Sequence, residues 1–85
     1  MKTMTFKTLD DWDDFIADNE LFDCYDRGNN HIGYILGPDA DHLGLEVRKS
    51  RTTGNLCAYV KHRLTPELTK ELMDCIYESV IVPQT

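Results

Sequence analysis

Leu43-Gly44-Leu45-Glu46-Val47-Arg48-Lys49, then Ser50-Arg51-Thr52-Thr53-Gly54-Asn55, then Leu56-Cys57-Ala58-Tyr59-Val60-Lys61-His62-Arg63: these 21 residues decide the fold. Apolar and polar side chains alternate in the outer segments, the period of a half-buried strand. The middle segment is polar and holds Gly54, as a turn requires. Setting Lys49 opposite Leu56 places Val47 opposite Ala58 and Leu45 opposite Val60. The apolar sides then coincide, which fixes the register of a hairpin. The other face carries Glu46, Arg48, Cys57, Tyr59, Lys61 and Arg63, with Glu46 able to pair with Lys61.

Beyond the hairpin, Thr65-Pro66-Glu67 opens a helix: a threonine cap, a proline at the first helical position and an acid in the first turn. Leu68, Leu72, Cys75, Ile76 and Val80 form its apolar stripe, and Pro83 ends it. On the N-terminal side, His31–Leu36 reads as a strand and Gly37–Asp41 as a turn or loop. Leu21–Asp26 reads as another strand, closed by the turn Arg27-Gly28-Asn29-Asn30. Thr8 is a helix cap, with Asp11 three residues on in the manner of a capping box. Leu9, Trp12, Phe15 and Ile16 follow within an arc of roughly 120°, so a helix is expected over 9–19. Thr3–Lys7 is a short first strand. The expected fold is α+β: one domain over residues 1–85, an antiparallel sheet of three to five strands, and an N-terminal and a C-terminal helix packed on one face.

A chain of 85 residues buries one modest core, and a deep substrate cavity would compete with it. Three cysteines, Cys24, Cys57 and Cys75, are an odd number without CxxC spacing, which points to a reduced, cytoplasmic protein. The N-terminus shows no apolar leader, and no apolar stretch reaches about 18 residues, so no membrane association is expected.

Charge is the informative property. Ten of the fifteen carboxylates lie in the first 45 residues, against three bases, Lys2, Lys7 and Arg27. Five of them, Asp10, Asp11, Asp13, Asp14 and Asp18, fall on the helix sector opposite Trp12. Asp10 and Asp11 favour the positive end of the helix dipole. The rest repel at i,i+3 and i,i+4, each pair costing a few tenths of a kcal/mol, and aspartate is a poor residue inside a helix. Glu20, Asp23 and Asp26 extend the patch. A solvated face that keeps the protein soluble is the plain interpretation. The functional one is a ligand for a basic groove, its carboxylates standing where phosphates would. Asp10, Asp11, Asp13, Asp14, Asp18, Glu20 and Asp23 are the candidate partner-binding residues.

The remaining candidates are weaker. Asp39-Ala40-Asp41-His42 holds metal-type ligands but lacks the glycine and later glutamate of a calcium loop, so no metal or other cofactor is expected. Cys57 and His62 are five apart on one strand and point to opposite faces. Arg48, Lys49, Arg51, Tyr59, Lys61 and Arg63 could bind single-stranded RNA through a basic β-ribbon, although the net charge of −6 opposes direct nucleic-acid binding. The acidic helix and the basic ribbon could also meet between copies and form a homo-oligomer. No phosphate-binding glycine loop or nucleophile elbow is present, and the chain is expected not to be an enzyme.

Thr53-Gly54-Asn55-Leu56 in a hairpin before a cysteine-bearing helix, and Asn19-Glu20-Leu21-Phe22 after an N-terminal one, are similar to segments of small acidic phage early proteins that inhibit host enzymes. Anti-restriction and anti-CRISPR proteins are similar at the same coarse level. The resemblance implies a compact protein that occupies a partner, such as a nucleic-acid-binding host enzyme or a defence complex. It carries over no functional residue.

Overall fold

A computed structural model of the chain describes residues 3–84. The elements are β1 (Thr3–Thr5), α1 (Leu9–Asn19), β2 (Leu21–Tyr25), β3 (His31–Leu36), α2 (Gly37–His42), β4 (Glu46–Lys49), β5 (Leu56–Tyr59), α3 (Pro66–Cys75) and β6 (Ser79–Ile81). The fold is α+β. The main sheet has the order β3-β2-β5-β4, and β1 and β6 form a separate parallel pair.

The hairpin register is Lys49 to Leu56, Val47 to Ala58 and Glu46 to Tyr59. The sheet is mixed rather than antiparallel throughout, because β2 pairs with β5 in parallel, Asp23 to Cys57 and Tyr25 to Tyr59. Alternation within each strand separates two faces. On one, Phe22, Cys24, Ile35, Ala58 and Val60 join Ala40, Leu45, Leu72 and Ile76 in the buried core. Leu72 and Ile76 belong to α3 and the residue that follows it, so α3 covers this face.

Helix α1 packs differently from expectation. Its Trp12 ring meets Tyr34 edge-on at 5.7 Å, and Tyr34 points away from the core face that its neighbour Ile35 enters. Phe15 meets Tyr77 at 6.2 Å. The two terminal helices therefore do not share a face.

Two other local features differ. Gly37–His42 is a short helix with Pro38 in its first turn and Ala40 buried. Helix α3 ends at Cys75, where Ile76 turns to extended backbone (φ −82°, ψ 133°), so Val80 lies in β6 rather than on the helical stripe. The segment 76–82 is rich in β-branched and aromatic residues, and two ladders receive it: Tyr77 exchanges backbone hydrogen bonds with Tyr34 at 2.8 and 3.3 Å, and β6 pairs with β1.

Candidate functional site

The acidic helix is set by local chemistry. The Thr8 hydroxyl accepts a hydrogen bond from the Asp11 N–H at 3.1 Å, and the helix stops where Glu20 adopts a left-handed conformation (φ 49°, ψ 56°). Asp10, Asp11, Asp13, Asp14 and Asp18 are all exposed. The ion pairs among the described residues are His31–Asp23, His42–Glu71 and Lys61–Glu46, and none includes an α1 aspartate. Among the described residues, the five carboxylates have no ion-pair partner and form one acidic ridge.

A cleft of about 510 Å³ lies along the other side of α1, and none of the five aspartates lines it. Trp12 and Ile16, one turn apart on α1, and Glu20 at the helix C-cap supply one wall of the cleft. Leu21, Tyr34 and Val82 give it an apolar lining, and Gly54, Asn55 and Leu56 close it from the hairpin loop. Leu56 is 45% exposed. Glu20 and Asp23 also line the cleft, so two candidate residues three positions apart, one at the α1 C-cap and one on β2, converge with Trp12. A second depression, lined by Asp18, Glu20, Pro38 and Asp39 among others, extends the acidic surface toward α2. Asp39 joins the patch only through the fold; its sequence neighbours gave no sign of it.

The basic ribbon is not assembled in the same way. Arg48 lies over the Tyr59 ring at 4.0 Å. Tyr59 stacks on Tyr25 at 5.1 Å and 15°, Tyr25 meets His31 edge-on at 5.3 Å, and His31 meets Tyr34 at 5.1 Å. Tyr59 is thus sandwiched between a guanidinium and another ring, and a nucleobase would have to displace one of them to stack there. Lys61 is held by Glu46 at 3.1 Å. Lys49 points to the sheet face opposite Arg48, Arg51 lies in the loop, and Arg63 borders a separate depression with Arg27 and His62.

The row is packed enough to disfavour ionisation. Desolvation, then the Asp23 charge, pushes the Tyr25 and Tyr34 phenols up. Cys57 belongs to this face as the register predicts, yet it is buried. Its thiol is also raised, first by desolvation and then by Asp23. Cys24 lies on the opposite face in the core. His42 bonds Glu71 at 3.3 Å rather than closing a site with Asp39 and Asp41. Among the described residues, no three His, Cys, Asp or Glu side chains converge as metal ligands. No described helix is long and apolar enough to cross a membrane.

No protein-family model matches the chain, and neither a curated protein nor a solved structure matches it.

Proposed function

We propose that the chain is a protein-binding module that seats the α1 ridge in a basic groove on a partner. The observation that carries this reading is an acidic α1 face with no ion-pair partner among the described residues, on a helix whose other side walls a cleft of mixed apolar and polar lining. The ridge supplies steering and charge complementarity. The cleft, with Trp12 and Leu56 at its margin, supplies apolar area, on which binding free energy depends more than on exposed charge pairs. A groove that fits such a ridge is one that otherwise tracks a phosphate backbone, so occupation excludes nucleic acid. The activity is inhibition by occupancy, as the likeness to phage early inhibitors implies. It requires no reaction step.

The test is affinity capture of partners from cell lysate with the wild-type chain and with the Asp13→Asn, Asp14→Asn, Asp18→Asn triple variant. A basic partner retained by wild type, lost by the variant and released between about 0.05 and 0.5 M salt supports the reading. Identical retention by both proteins returns the aspartates to the role of a solvated face and overturns it.

A further inference from the structure

β4 is the terminal strand of the main sheet. The Ser50 N–H bonds the Asn55 carbonyl at 2.8 Å, while the Val60 N–H turns the other way, to Tyr25 at 3.0 Å. Antiparallel pairs alternate between hydrogen-bonded and non-hydrogen-bonded. Counting back from Ser50–Asn55, the Arg48–Cys57 and Glu46–Tyr59 pairs are the bonded ones. The N–H and C=O of Val47 and Lys49 therefore point outward, away from β5. At the other end of the edge, the Leu45 N–H is engaged by the Ala40 carbonyl at 3.0 Å, which leaves the Leu45 carbonyl facing out.

We propose that this edge pairs antiparallel with β4 of a second copy, about a twofold axis at Val47. A twofold perpendicular to the sheet keeps each side chain on its own face, so opposed residues must share parity. Centring on Val47 satisfies that condition. The Val47 N–H and C=O bond their counterparts, and the Lys49 N–H of each copy bonds the Leu45 carbonyl of the other, which gives four backbone bonds and leaves the Ala40 bond intact. On the open face Glu46 of one copy lies opposite Arg48 of the other, twice. On the core face the two Val47 side chains meet, each already packed against the core margin. The aliphatic stem of Lys49 lies beside Leu45.

Edge strands are ordinarily protected by charge, lysine above all. A run of one sign would do that here. Instead the two face-sharing charges, Glu46 and Arg48, are opposite in sign and symmetric about an apolar residue, so the edge complements itself in this register. Slipping the centre to Glu46 or Arg48 brings like charges together on the axis. The occupant is a second copy, and the product is a continuous eight-stranded sheet with an isologous interface.

Sedimentation equilibrium from about 10 μM to 1 mM tests this. The expected result is a concentration-dependent shift from 9.8 kDa toward twice that mass. Glu46→Arg and Arg48→Glu each place like charges in opposition and weaken association about tenfold or more. The Glu46→Arg, Arg48→Glu double variant exchanges the signs and returns the constant to within about threefold of wild type. Amide exchange at Val47 and Lys49 slows as concentration rises, which reads the ladder directly and does not depend on any variant folding. A monomer throughout the range overturns the proposal. So does a dimer indifferent to the single charge reversals, or one whose Val47 and Lys49 amides exchange at a concentration-independent rate.

Discussion

Gly33 holds φ at +148°, and a Cβ built there would lie 2.4 Å from Ile76 Cγ2 and 2.8 Å from the Tyr77 carbonyl oxygen. The C-terminal segment leaves α3 and crosses β3 at this point, and only a residue without a side chain lets it pass. Gly33→Ala should therefore destabilise the protein by about 3 kcal/mol or more, since both backbone conformation and packing oppose it; urea unfolding measures this, and a loss below about 1 kcal/mol would contradict the crossing. Nothing in His31–Leu36 singled Gly33 out, because the atoms that make it necessary come from residues 76 and 77. Cys24 is a second case. Burial, aided by the Asp26 charge, pushes its thiol from 9.0 up to about 11. The folded state holds this proton more tightly than the unfolded chain does. Its contribution is thus complete below pH 9 and is lost as pH rises through 11, a difference of about 2–3 kcal/mol. The stability of wild type should fall more steeply than that of Cys24→Ala across this window, and parallel curves would contradict the assignment. Asp26 has the opposite sign. Hydrogen bonds from the Asn30 backbone, the Asn30 side chain and the Gly28 backbone lower its pKa, so this turn contributes above the ordinary carboxylate range and weakens as pH falls.

At the scale of elements, what was legible was local. Helix α1 follows from Thr8, Asp11 and the apolar spacing, all within a dozen residues, and the β4–β5 register follows from two facing alternations. The end of α3 was not legible, since a helical stripe continues on paper to Val80. There, tertiary ladders to Tyr34 and β1 prevail over weak helical propensity. The orientation of α1 was equally hidden. An apolar stripe says that a helix docks, not on which face. Its docking is shallow: no α1 residue is buried, and its attachment is the aromatic group of Phe6, Trp12, Phe15, Tyr34 and Tyr77. Hydrogen exchange should show α1 amides opening well below the global unfolding free energy that protects β2 and β5. Thr8→Ala should cost about 1 kcal/mol through the lost cap, whereas the Asp13→Asn, Asp14→Asn, Asp18→Asn variant should raise the melting temperature slightly at low salt by relieving repulsion. A marked drop on that neutralisation would mean that the aspartates hold the fold together, which the absence of α1 ion pairs among the described residues argues against.

The whole molecule separates two electrostatic surfaces that the sequence could only place in different halves of the chain. Strand order decides how they sit. The parallel β2–β5 contact spans more than thirty residues of sequence, and no local pattern encodes such a pairing; it arises from burying both strands' apolar sides in one core. One consequence is that β4 becomes an edge, while α1 attaches at β3 and Tyr77. An acidic helix and a basic ribbon on one chain could still meet head to tail between copies, which would make partner binding and self-association rivals for the same residues. The two-surface arrangement predicts otherwise. Neutralising Asp13, Asp14 and Asp18 should leave the self-association constant within about twofold of wild type, because sites without shared partners act additively. Reversing Glu46 should leave partner capture intact. Head-to-tail association predicts the reverse pattern, with the aspartate variant dissociating the oligomer and high salt dispersing it as well. Sedimentation and capture run on the same two variants distinguish these cases, and loss of both activities in either one would show that the acidic and basic surfaces form a single interface.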